Sequence, residues 1–512
     1  MAYITDLPTE LIEKIFKSMV NVSIDDAWFR IDVPTKASRS DLLSCALTYS
    51  AFFSPAMRIL WSTSEVIRLL KLLPGFEIVD GCYRITGNFN EDSLKRFDLY
   101  SPMVKTLSHH GTWVKDTHPV HESVFTSLAL SRPSPLLPSL THVSCCARTK
   151  FAAATGETMF MTSPVLKSVL FAFCDGRDIM RYLSTVIKDK DAASALESLT
   201  IVHPRPYSRS RFGFDFDCIS QLPNLTVLHF DLSLSLSTVD RETGLGAVFQ
   251  LPTRLKQLHL QRALYTPPKD LFAVLGLYRE SKTESFSLER SALTGGDLKA
   301  VFRVISSQWS QTMTSLWLDI KVRPQLSTST SRSGNDENGN FLDIIRPLYS
   351  LHNLRFFTGS FSSSSSFHTS ANTPAMKCVQ NVYVTDTFTL ISDICECKAW
   401  RKLIEFEIRG TGTCGFEDAL AVTSLAEHCP RLKRISVPFD IDILATPSFC
   451  FNPNQSFSLK SSPNHQLKSM TLVVKDGIGI DIPDADADSG SIGFANSRPT
   501  RWKSLGTGVS LG

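Results

Sequence analysis

Two clusters in this chain have the residue types and spacing that chemistry would need. The segment "RGTGTCGFEDAL" places Gly410, Gly412 and Gly415 at G-x-G-x-x-G spacing, after the apolar run "LIEFEI" and before a helical pattern, with Asp440 further on. Glycines so placed let backbone approach a pyrophosphate, and a later acid can hold a ribose. The same run is also one copy of a pattern that recurs along the chain without such glycines, so a nucleotide-dependent enzyme is the minor reading. His109, His110, His118 and His121, with Asp116, could ligate a metal. No cysteine joins them, their spacing matches no closed site, and they read as a solvated loop. The 12 cysteines are scattered without a C-x-x-C pair, so they read as reduced thiols that serve mainly as small buried hydrophobes. No nucleophile elbow, zincin helix or P-loop lysine occurs. The expectation is therefore a chain with no catalytic residue, no metal and no cofactor, which acts through its surfaces.

Composition narrows which surfaces. The 512 residues exceed what one core organises, so two or more units are expected. Lys+Arg 53 against Asp+Glu 50 leaves a net charge of +3, too weak a field to steer the chain to nucleic acid or an anionic membrane. The opening residues carry Asp6, Glu10 and Glu13 and lack a secretory pattern. No uncharged apolar run approaches the roughly 18 residues of a spanning helix. These features predict a soluble chain of the cytoplasm or nucleus.

The elements that would position a docking surface begin at once. In "DLPTELIEKIFKSM", Pro8 suits a first helical turn and Glu10 complements the dipole. Leu11, Ile12, Ile15, Phe16 and Met19 then recur on one face. A second helix is predicted from about residue 40, with Leu42, Leu43, Ala46 and Leu47 inward, and a third from Pro55 to Trp61. Three short helices make a marginal core, because a domain of about 60 residues buries only about 60% of its chain surface. A partner surface would relieve that shortage.

"LPTELIEKIF" followed by "DLLSCALTYSAFFSPAMRILW" resembles an F-box over residues 4 to 62, in its Leu-Pro-x-Glu-Leu opening, its Ile-Phe pair, its second helix and its closing Arg-x-Leu-Trp. The stretch from Val20 to Arg39 is long for that family. The resemblance implies docking onto the Skp-type adaptor of a cullin-based ubiquitin ligase. Carried over residue by residue, it implies adaptor contacts from Leu7, Pro8, Leu11, Ile15 and Phe16, with Leu43, Leu47 and Trp61 shared between the module's own core and the interface.

Downstream, an apolar pattern of the form φ-x-x-φ-x-φ returns at Leu140, Leu166, Leu196, Leu225, Leu255, Thr283, Met313, Leu354, Val379, Leu403, Leu432 and Leu467. Each copy reads as a short strand with a return segment that cannot bury its apolar face alone, so neighbours must stack. The pattern resembles degenerate leucine-rich repeats of the kind appended to F-boxes in fungal proteins. The expected fold is α/β: a three-helix F-box (1–62), connecting helices and a cap (63–135), and a solenoid of parallel strand-helix units (136–475). The expectation adds a disordered insertion at 326–340, a similar Ser-rich stretch at 360–367, and a mobile tail at 476–512.

In such an array the residues between the apolar positions alternate to the other face. That period predicts a ladder with His229 beside His259 and Glu289 beside Asp319, Trp317 near the acidic pair, and Tyr383, Glu405, Glu407, Arg409 and Arg434 further on. This concave face is the expected target site, with Trp317 and Tyr383 as anchors and the acidic pair biasing it toward a basic segment. The resulting expectation is a non-enzymatic substrate receptor. A scaffold that binds the adaptor without directing ubiquitination is the alternative.

Overall fold

The computed structural model describes residues 7–20, 22–24, 32–87, 91–110, 118–132, 135–146, 155–174, 176–202, 217–231, 252–261, 271, 275, 281–323, 341–363, 391, 394–395, 397, 399–409, 424–425, 427–439, 469–474 and 479–482. Gly410, Gly412, Gly415, Asp440, Tyr383, Asp116 and the 326–340 insertion lie outside these residues. The chain divides into two compact units, 1–351 and 352–512. The first is α/β, with a parallel sheet and helices, and the second carries strands that pair in parallel.

The first unit opens with α1 (Thr9–Met19), a short antiparallel pair β1 (Val22–Ile24) and β2 (Asp32–Pro34), then α2 (Lys36–Thr48) and α3 (Ser50–Ser62). The long stretch between the first two helices thus carries its own two-stranded pair. Both later helices start earlier than the pattern predicts. The Thr35 hydroxyl accepts the Ser38 N–H at 3.2 Å and caps α2 a turn upstream. Helix α3 begins at Ser50 and runs through Pro55, where the missing N–H costs one helical bond near the start.

Without a linker, α3 passes into β3 (Thr63–Glu65). An antiparallel hairpin, β4 (Phe76–Val79) and β5 (Cys82–Ile85), turns through Asp80 and Gly81, both at positive φ. The sheet then continues through β6 (Thr106–His110), β7 (His142–Cys146), β8 (Ser168–Ala172), β9 (Ser198–Val202), β10 (Val227–Asp231), β11 (Gln257–Gln261), β12 (Ser285–Thr294) and β13 (Ser315–Arg323). Every neighbour from β3 to β13 pairs in parallel.

Two apolar rows run across these strands. One passes through Leu199, Leu228, Leu258, Phe286 and Leu316, the other through Phe171, Ile201, Phe230, Leu260, Leu288 and Leu318, and all of these residues are buried. Just before each strand, one carbonyl accepts two N–H groups from the next copy. Lys105, Thr141, Lys167, Glu197, Thr226, Lys256 and Glu284 play this part in succession, at 2.7–3.0 Å. This ladder satisfies the backbone where the strands begin.

Helices cover the apolar face. Gly295–Trp309 is fixed by a capping box between Thr294 and Asp297, and it buries Leu298, Val301, Phe302, Ile305 and Trp309. Upstream, the helix Thr155–Phe160 lies against Glu122–Ser131 so closely that a Cβ on Gly156 would meet the Thr126 backbone nitrogen at 2.9 Å. Gly156→Val is therefore expected to cost roughly 1–3 kcal/mol of stability, as overpacking does. A thermal melt with no measurable loss would contradict that contact.

The second unit repeats the arrangement with β14 (Phe356–Ser363), β15 (Glu405–Arg409), β16 (Arg434–Phe439) and β17 (Ser469–Val474) in parallel, and β18 (Gly479–Ile482) antiparallel to β17. Two expectations change here. The Ser-rich stretch is β-strand as far as Ser363, and residues 479–482 of the supposed mobile tail form a strand. The Val379 motif lies outside the described residues, and β14 pairs directly with β15.

Candidate functional site

Among the described residues, the densest exposed apolar surface lies on the first three helices. Helix α1 starts from Pro8, whose carbonyl accepts the Leu11 and Ile12 N–H groups at 2.9 and 3.2 Å. Pro8 is thus the exposed N-cap rather than a first-turn residue. From there α1 carries two parallel stripes. Ile12 and Phe16 are buried, and Phe16 meets the Phe52 ring of α3 edge-on at 5.6 Å. Leu11, Ile15 and Met19, spaced four residues apart, are 43%, 40% and 55% exposed.

Helix α2 behaves alike. Leu42 and Ala46 are buried, while Leu43 and Leu47 are 45% and 76% exposed. The two helices meet where Phe16, Met19 and Val20 line a small crevice with Ser38, Asp41, Leu42 and Cys45. Tyr49 and Phe53 add exposed aromatic surface around the α2–α3 junction. Glu13 of α1 bonds Arg58 of α3 at 3.2 Å, an exposed pair worth little by itself.

This placement corrects several expected roles. Phe16 belongs to the core, since α3 offers Phe52 to its inner side. Leu43 and Leu47 point outward rather than inward. Leu7 is half-buried against the helical core. Trp61 stacks on Tyr100 at 4.7 Å and 19°, so it joins the helices to the segment that precedes β6. Met19, Tyr49 and Phe53 are exposed apolar residues that the sequence reading left out of the surface; for Met19 the four-residue spacing from Leu11 and Ile15 was the available signal.

On the sheet, register places His229 beside His259, with ring centroids 5.7 Å apart. Burial, then the neighbouring His259, push the His229 imidazole down to about 4 against an opposing hydrogen bond with the Gln261 side chain, so it is neutral at ordinary pH. Beyond them come Ser287 and Trp317 in the same row. Glu289 faces Gln261 on one side. On the other side the register shifts between Leu288 and Ser291, so Glu289 and Arg290 together face Asp319, and the simple one-to-one acidic rung becomes a bulge. In the second unit Glu407 is half-buried beside Thr358 and Ser436, and Glu405 pairs with Arg434.

The histidine-rich stretch disperses. His118 Nδ1 lies 3.0 Å from the Gly81 carbonyl, and His121 caps the helix Glu122–Ser131. His109 is in β6, in the inward row opposite Cys145, and its Nε2 lies 3.2 Å from Glu157 Oε1. Burial, then Asp178 and Glu122 nearby, push the Glu157 carboxyl up to about 8. Burial also raises the Cys145 thiol well above its ordinary value, which leaves it an unreactive core group. Among the described residues, no group of three or more His, Cys, Asp or Glu is placed to hold a metal.

Within the described residues, no helix is long and apolar enough to cross a membrane. No protein-family model and no curated protein matches the chain.

Proposed function

We propose that this chain is the substrate-recognition subunit of a cullin-type ubiquitin ligase. In this reading residues 1–62 form an F-box that holds a Skp-type adaptor, and the strand-helix copies behind it form a leucine-rich-repeat solenoid that holds a target protein. The observation that carries the reading is the second apolar stripe. The three helices close their own core with Ile12, Phe16, Leu42, Ala46, Ala56, Met57 and Ile59, and yet Leu11, Ile15, Met19, Leu43 and Leu47 stay in solvent. An exposed apolar patch of this kind, on an otherwise closed unit, marks a protein interface.

The mechanism is proximity. The chain supplies no bond-making residue of its own and raises the effective concentration of target lysines near an activated ubiquitin borne by the complex. The direct passage of α3 into β3, with Trp61 on Tyr100, couples the two functions without a flexible joint. The expected compartment is the cytoplasm or nucleus.

Co-purification tests the reading. Wild-type protein should bring down a Skp-type adaptor and, through it, a cullin, and Leu11→Asp with Ile15→Asp should not. Target levels that fail to rise when the cullin is inhibited would favour the scaffold alternative. Saturable NAD or ATP binding, abolished by Gly412→Val, would instead favour the nucleotide enzyme.

A further inference from the structure

The edge of the sheet where the strands begin holds a trough of about 440 Å³ that crosses the successive copies β8 to β11. Two residues before the carbonyl that fastens each next strand, these copies carry Val165, Ala195, Asn224 and Arg254, and all of them line the trough. Val165 is 42% exposed and, with Pro164, makes an apolar wall at one end. Arg254 is exposed at the other end. Adjacent strands lie about 4.8 Å apart, so the valine and the arginine are separated by three spacings, about 14 Å.

The lysines along this edge are already answered. Lys167 pairs with Glu197 at 3.6 Å and Lys256 with Glu284 at 3.1 Å, each reaching from one copy to the next. Arg254 differs: its Nη1 donates to the side-chain oxygen of Asn224, a neutral acceptor, and among the described residues it meets no carboxylate. Asn224 is itself held. Its Nδ2 donates at 2.6 Å to the Ser194 carbonyl, at the end of the helix Lys190–Ala195, where a helix leaves carbonyls without internal partners. The chain from Ser194 through Asn224 thus orients the guanidinium at the trough without consuming its charge. Lys167 and Glu197 cancel, so Arg254 leaves the lining with a net positive charge.

We propose that this trough seats an extended segment of a partner polypeptide, with an aliphatic side chain on Val165 and Pro164 and an acidic side chain on Arg254. An extended chain advances about 3.3 Å per residue and returns its side chains to one face at every second residue, so the two side chains stand about four residues apart. A carboxylate takes two parallel N–H donors from the fork of a guanidinium, and Arg254 has no internal acid to give up. Val165, Lys167, Glu197 and Arg254 are all exposed, so the trough lies open along its length. A small anion is held by enclosure, which this shape does not give, whereas an extended chain can use the apolar end and the charged end together. The trough is on the strand-start edge, apart from α1–α3 and from the ladder face of His229 and Trp317, and it rests on neither part of the proposed function.

The test uses the full chain and fluorescein-labelled Gly-Ser peptides of equal length that carry leucine and, four residues on, glutamate, followed by anisotropy. Exchanging glutamate for glutamine, or leucine for serine, should each weaken binding at least five-fold. Arg254→Met should weaken the glutamate peptide at least five-fold and leave the glutamine peptide unchanged. Val165→Asp should weaken both, and Lys95→Met should change neither. The three substituted side chains are exposed, so melting temperatures should hold; should Val165→Asp melt early, Arg254→Met decides. Absence of saturable binding, equal binding of the glutamate and glutamine peptides, or unchanged binding by a folded Arg254→Met protein overturns the site. Full displacement of the peptide by equimolar inorganic phosphate or single-stranded oligonucleotide overturns a polypeptide as its occupant. Leu11→Asp with Ile15→Asp should leave peptide affinity intact, so failure of adaptor capture and failure of this site are read separately.

Discussion

Leu11→Asp combined with Ile15→Asp is expected to abolish adaptor capture while leaving the melting temperature of the chain nearly unchanged. Both side chains are on the exposed stripe of α1, so the free protein loses little by the change. In a complex each would be buried, and burying such a side chain contributes about 1.5–3 kcal/mol. An aspartate there must also be desolvated without a partner. The lost apolar burial and the two desolvated carboxylates together exceed roughly 4 kcal/mol, about a thousand-fold in affinity. Phe16→Ala should behave differently. Its ring fills the core against Phe52, and truncating a buried phenylalanine costs about 3–5 kcal/mol, so capture should fail together with the fold of the helices. Leu47→Asp, on α2, gives an independent surface probe. Persistence of adaptor and cullin with a well-folded Leu11→Asp/Ile15→Asp protein would defeat the docking assignment.

The contrast between Ile15 and Phe16 shows where sequence reasoning stops. Helical periodicity finds a broad apolar stripe on α1, but such a stripe comprises two rows about 100° apart, and which row turns inward depends on where α3 lies. Phe52 decides it, from 36 residues further along the chain. The outward turn of Leu43 and Leu47 follows the same logic, since α2 can meet α1 and α3 with only one of its rows.

The strands were far more legible. The motifs at Leu140, Leu166, Leu196, Leu225 and Leu255 each begin two residues before a strand, and so do those at Thr283 and Leu354. A fixed offset arises because one carbonyl before every strand fastens the next copy. The pattern failed at β6 because His109 stands at an inward position where the following strands carry Cys145 and Phe171. Glu157, brought in by a later helix, gives the histidine a polar partner there. The bulge facing Asp319 was equally hidden, since it depends on a left-handed Arg290, which residue type does not forecast.

That same buried pair leads to a pH dependence of stability. The folded chain holds the Glu157 carboxyl up to about 8 through burial, then Asp178 and Glu122, whereas the unfolded chain ionises it near the ordinary 4.5. Between those values the folded state retains a proton that the unfolded state has released. The contribution is therefore complete below 4.5, declines as pH rises toward 8, and is lost above it. One proton sets a ceiling of roughly 1.4 kcal/mol per pH unit. Glu157→Gln keeps the shape and removes the titration. Wild-type protein should accordingly lose several degrees of melting temperature relative to Glu157→Gln between pH 5 and pH 8. Parallel profiles for the two proteins over that range would mean that Glu157 is already ionised in the fold.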